Sequence, residues 1–150
     1  MTQVIDQKIL ELYQQSNNFG KYLGIELTVL SKGKVRYELE IGEKHLAVPG
    51  AAHGGVVAAL IDGTLGVAAL TMVSHEQKVV STVELKINFL KPVSPGDILI
   101  AEAEVLSAGR RLIYAETGVQ NQNGVLIARA SGTFNSYPMN KVFPDFKSGT

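Results

Sequence analysis

The chain has 150 residues, enough for one domain with a proper core, and its 14 Lys and Arg balance its 14 Asp and Glu. A formal net charge of zero with dispersed charges gives no basic footprint for nucleic acid. The absence of cysteine excludes disulfides, thiolate metal sites and a cysteine nucleophile, and it fits a cytoplasmic location.

In residues 3–16 the apolar positions Val4, Ile5, Ile9, Leu10, Leu12 and Tyr13 fall roughly at helical spacing. They predict an amphipathic helix lying on the domain, closed by Asn17, Asn18 and Gly20. Asp6, Lys8 and Glu11 interrupt this segment, so it does not read as a signal peptide. Residues 22–31 and 34–42 read as two strands. In the second, Val35, Tyr37, Leu39 and Ile41 alternate with Arg36, Glu38 and Glu40, the pattern of one buried and one wet face. Residues 43–52 read as a loop. Residues 54–73 follow as a helix that is apolar or small on every face, with Asp62 as its one charged residue. Its acid and its many Gly and Ala residues, with no basic flank, argue against a membrane span.

From Lys78 the pattern is strand throughout. Val83, Leu85, Ile87 and Phe89 alternate with Glu84, Lys86 and Asn88, and a Pro-rich turn at 92–97 follows. Further strands are expected at about 98–108, 110–121 and 125–136, then an irregular tail from Tyr137. The expectation is a single α+β domain: an N-terminal helix over 1–19, a core over 20–136 and a tail over 137–150. In the core, about six antiparallel strands cover one long helix. A helix apolar all round needs more than one face covered, by a curling sheet, a second subunit, or both.

A lone carboxylate in an apolar helix is costly unless it is paired, hydrated or functional. Asp62 is therefore the leading candidate for a general base or a nucleophile. His53, Gly54 and Gly55 open the helix, where unpaired N–H groups can stabilise an oxyanion and glycines leave the approach clear. Gly54 and Asp62 are eight residues apart, on broadly the same side, so a carbonyl held at Gly54 is expected within reach of chemistry at Asp62. His45, His53 and His75 lack metal-ligand spacing, and no nucleotide-binding glycine motif or Gly-x-Ser-x-Gly turn is present. Arg110, Arg111 and Lys91 are cations suited to the phosphates of a pantetheine-nucleotide ligand, or are simply a solvated face.

The motif Gly50-x-x-His53-Gly54-Gly55-x-x-x-x-Leu60-x-Asp62, the run from Thr82 to Pro92 and Gly109-Arg110-Arg111 carry a resemblance that spans roughly residues 20–136. The chain resembles the hotdog-fold acyl-CoA thioesterases, in the phenylacetate-pathway-like branch of the 4-hydroxybenzoyl-CoA thioesterase superfamily. The resemblance implies a curved sheet around a central helix, a dimer with a continuous double sheet, active sites at the subunit interface, and often a tetramer. It implies hydrolysis of acyl-CoA to carboxylate and free CoA with no metal or redox cofactor. Asp62 would be the base or nucleophile, and the Gly54 N–H would polarise the thioester carbonyl. Gly55 would keep the approach clear and His53 would support the loop. Thr82 would position the attacking water from the neighbouring subunit. Relatives commonly carry Asn six residues before the motif histidine, where this chain has Ala47. That departure opens a second reading, a non-catalytic acyl-CoA binding or sensing protein.

Overall fold

The computed structural model describes residues 5–146. Asp6 opens the first helix, α1 (Gln7–Ser16), its carboxylate accepting the N–H groups of Lys8 and Ile9 at 3.0 and 3.3 Å. The apolar face of α1 buries Ile9 and Leu10; Val4 lies outside the described residues. Asn17 closes α1 but does not end the helical structure. Its Oδ1 accepts the Gly20 N–H at 3.0 Å and starts α2 (Asn18–Leu23), which Gly24 ends at φ 86°. The strand expected from residue 22 therefore starts later, as β1 (Glu26–Ser31). A side-chain cap and a left-handed glycine fix a short helix where apolar content alone suggested extension.

The chain continues through β2 (Lys34–Glu40), a 3-10 turn (Glu43–His45), β3 (Leu46–Val48) and β4 (Ala51–Ala52) to α3 (Gly54–Val73). Four long strands follow: β5 (Lys78–Phe89), β6 (Ile98–Ala108), β7 (Leu112–Gln120) and β8 (Leu126–Pro138). Six strands make one antiparallel sheet in the order β1-β2-β6-β7-β8-β5, while β3 and β4 form a separate small hairpin in the expected loop. The helix α3 packs along β2, β5, β6, β7 and β8. This is the hotdog arrangement, a sheet laid around one long central helix, with an amphipathic helix before it.

The alternation in β2 holds: Val35, Tyr37, Leu39 and Ile41 are buried, while Arg36 reaches across to an ion pair with Glu102 on β6. Against them α3 sets Leu60, Ile61 and Leu65, and β8 sets Phe134, all essentially without solvent contact. Full burial of such a side chain stabilises the fold by about 1.5–3 kcal/mol. The helical stretch Gly54–Glu76 is long and apolar enough to cross a membrane, and 67% of an 18-residue apolar run within it is buried in the fold. The sheet does not close over all of it. A stripe of partly covered or exposed small residues, Gly55, Ala58, Ala59, Gly63 and Gly66, runs along α3 and includes Asp62.

Candidate active site

Two histidines build the approach to α3. His45 is buried; its Nδ1 accepts the Gly42 N–H and its Nε2 meets the Leu23 carbonyl, both at 2.9 Å. It ties the end of α2 to the loop, and the His45 carbonyl accepts the His53 N–H at 2.8 Å. His53 caps α3, its Nδ1 accepting the Gly55 N–H at 2.7 Å. A Cβ on Gly55 would lie 2.8 Å from that nitrogen, so glycine at this position is what lets the imidazole cap the helix. The cap uses the Gly55 donor. The Gly54 N–H, first in the helix, has no intrahelical acceptor and stays available beside an exposed surface. The neighbour a Cβ on Gly54 would meet is the Phe89 ring at the end of β5, at 3.6 Å.

Two turns on, Asp62 is half-buried, and its Oδ1 accepts a hydrogen bond from the Thr82 hydroxyl at 2.6 Å. A β-bulge makes this contact. On β5, Thr82 stands opposite Phe134, whereas Glu84 stands opposite Thr133, so Val83 is the extra residue. Phe134 is buried and Thr133 points outward, where its hydroxyl donates to Glu84 Oε1 at 2.9 Å. The bulge thus turns Thr82 inward and leaves Glu84 outward, although simple alternation would put both on the wet face. Thr82 is expected to position the attacking water from the neighbouring subunit; within one chain its hydroxyl already lies on Asp62.

Asp62 and Thr82 stand at the wall of a cavity of about 300 Å³. Its lining is mainly apolar and aromatic, with Leu70 of α3, Phe134 of β8, Ile9 and Tyr13 of α1, and Tyr137 and Phe143 of the C-terminal segment. The tail expected to be irregular instead continues β8 to Pro138 and folds back through a 3-10 turn to close this cavity. The sequence signal was its apolar content at Tyr137, Val142 and Phe143, but no local pattern says what those residues face.

The two halves of the expected site do not meet within one chain. Eight residues of α-helix place Asp62 about 12 Å along the axis from Gly54, too far for one carbonyl to engage both. Sharing a side of a helix is not sharing a site. The expected phosphate-binding cations are also divided. Arg110 and Arg111 lie beside Asn135 and Ser136, at the Thr82 end of β5, with Arg111 Nη2 donating to Asn135 at 3.4 Å. Lys91 follows the other end of β5, near Phe89 and Gly54. Ala47 is exposed on β3. Among the described residues no three His, Asp or Glu side chains converge as metal ligands would.

Comparison with known proteins agrees with this geometry. The sequence pattern of the thioesterase superfamily matches residues 49–128, the stretch that holds the motif, α3 and Thr82. Human acyl-coenzyme A thioesterase 13 is 30% identical over 135 residues, covering 89% of this chain and 94% of that protein. A solved thioesterase family protein from Silicibacter pomeroyi superposes with a TM-score of 0.79 at 27% identity, covering 88% of this chain and 97% of the other. A Streptococcus mutans UA159 protein solved with bound acetyl CoA gives a TM-score of 0.70 at 26% identity, over 76% of this chain and 89% of that one. The chain belongs to the thioesterase superfamily and is a thioester hydrolase.

Proposed function

We propose that the protein hydrolyses acyl-CoA thioesters, with Asp62 as the group that delivers the oxygen nucleophile. The observation that carries this reading is the Thr82–Asp62 pair at the wall of an apolar cavity. Thr82 holds one carboxylate oxygen and leaves the other toward substrate. A water deprotonated by Asp62 adds to the thioester carbon, the C–S bond breaks, and the proton goes to the departing CoA thiolate. Direct attack by Asp62 would form a mixed anhydride that water then opens. Single turnover in heavy-oxygen water separates the two routes, since only direct attack followed by hydrolysis at the enzyme's carboxyl carbon labels Asp62. Both routes place negative charge on the carbonyl oxygen, which needs a donor such as the Gly54 N–H.

That donor comes from a second copy in this reading. The strand β5 is one of the two edges of the sheet, Thr82 on it touches Asp62, and Phe89 lies beside Gly54. An antiparallel copy of β5 with its twofold axis between Leu85 and Lys86 sets Thr82 of each chain opposite Phe89 of the other. The partner's Gly54 is thereby carried toward Asp62, and the 12 Å gap within one chain becomes a contact between chains. The same axis brings the partner's Lys91 to the end of the sheet that carries Arg110 and Arg111, a divided but convergent set of cations for the CoA phosphates. A dimer is the smallest unit with complete sites, and a tetramer would pair two such dimers. Human acyl-coenzyme A thioesterase 13 and the protein holding acetyl CoA support this choice of substrate.

The test is free-thiol release from a panel of acyl-CoA esters. Wild type releases CoA, and Asp62→Asn lowers kcat at least about a hundredfold. Equal rates in the two proteins would sink the assignment of Asp62.

A further inference from the structure

Two cavities share one residue of α1. Beyond α1, a second cavity of about 200 Å³ lies between the helices and the β1–β2 edge, lined by Asn17, Ile25, Leu27 and Tyr37 among others. Tyr13 lines this space and also the 300 Å³ cavity that begins at Asp62 and Thr82. It is the residue common to both linings. The Tyr13 ring is held by Asn17, whose Nδ2 donates to its hydroxyl at 3.3 Å, and its phenol lies close enough to that of Tyr37 for each to perturb the other. Tyr37 is itself buried, with its ring against Gly63, where a Cβ would come within 2.7 Å of it. Burial pushes the Tyr13 phenol up, the nearby Asp62 charge adds to this, and the bond from Tyr37 offsets part of it. The ring is therefore a neutral, hydrogen-bonded wall rather than a charged one.

We infer that Tyr13 is the specificity-determining residue that ends the acyl pocket and sets the longest acyl chain the enzyme accepts. This rests on the reading of Asp62 and its cavity as the thioester site. An acyl chain whose carbonyl lies at Asp62 extends away from the CoA entrance into the apolar cavity and meets Tyr13 on its α1 wall. Up to that point every methylene added moves from water into apolar surroundings. Past it, the chain must displace a ring whose hydroxyl is held by Asn17. Without the ring, the second cavity becomes a continuation of the first, lined by Ile25 and Leu27, which are partly buried and apolar.

The experiment measures kcat/KM for butanoyl-, hexanoyl-, octanoyl-, dodecanoyl- and hexadecanoyl-CoA with wild type, Tyr13→Ala, Tyr13→Phe and Asp62→Asn. For wild type, kcat/KM rises about fourfold per methylene that enters the cavity, then falls once the chain meets Tyr13. In Tyr13→Ala the maximum moves to longer chains, and the hexadecanoyl-to-octanoyl ratio rises at least about tenfold. Tyr13→Phe keeps the wild-type order of chain lengths, since it retains the ring. If melting shows Tyr13→Ala to be unfolded, Tyr13→Leu carries the same comparison with the helix contact partly kept. An unchanged profile in a folded Tyr13→Ala protein, with release still lost in Asp62→Asn, overturns the role of Tyr13 and leaves the thioesterase site standing. Release that is indifferent to Asp62→Asn overturns the site itself.

Discussion

The two edges of the sheet are built differently. The β1 edge is short, six residues, with Glu26 opposite Glu38 and a bulge between Val29 and Ser31. Those are the features by which an edge strand discourages pairing with another chain. The β5 edge is twelve residues long and leaves Val83, Phe89 and Leu90 at 57%, 55% and 50% exposure on and just past the strand. It also carries Thr82, whose hydroxyl holds Asp62 in the proposed site, while Phe89 stands beside the Gly54 donor that would complete that site. One edge is finished and the other is waiting. The difference fits the proposed catalytic unit of two chains, in which the strand that closes the fold also assembles the site.

The largest expected effect comes from removing the donor without disturbing the helix. Gly54→Pro deletes the N–H at the first helical position, where proline is tolerated, and His53 before it already has the extended conformation proline demands. It should lower kcat about a hundred- to a thousandfold while leaving the melting temperature near that of wild type. Unaltered turnover would remove Gly54 from the oxyanion site. A charge at the open edge tests the pairing: Val83→Lys should weaken the dimer at least about tenfold by sedimentation, with activity falling as dimer is lost. A fully dimeric, inactive Val83→Lys protein would contradict pairing through β5. Smaller still, Thr82→Val removes the hydroxyl that holds Asp62 and should lower kcat about ten- to a hundredfold, with Thr82→Ser recovering most of it. Loss through KM alone would make Thr82 a substrate contact rather than a positioning group.

How much of this was legible follows from what each feature does to a period. The long helix and β2 announce themselves because 3.6-residue and two-residue patterns survive over many positions, and Asp62 stands out against them. The bulge at Val83 is invisible for the same reason, since it inserts a residue and reverses the faces on one side of it. Of the alternating apolar residues Val83, Leu85, Ile87 and Phe89, Leu85 and Ile87 are partly covered, but Val83 and Phe89 are exposed at the open edge. Short α2 was lost because its two caps, Asn17 and Gly24, also read as turn residues. The placement of Gly54 and Asp62 on one helical side was a correct reading of rotation that overlooked rise. The cavity wall from Tyr13 and Phe143 joins residues from the two ends of the chain, and nothing local in either segment records that meeting.

The most direct test of a site shared between chains is subunit complementation. In the proposed dimer, Asp62→Asn and Gly54→Pro should each be nearly inactive alone, and a mixed dimer would hold one site with both defects and one with neither. Co-expression of the two, with differently tagged chains purified as the mixed dimer, should therefore restore about half the wild-type thiol release per dimer. Mixed dimers as inactive as either parent would show that Asp62 and Gly54 do not meet across the interface.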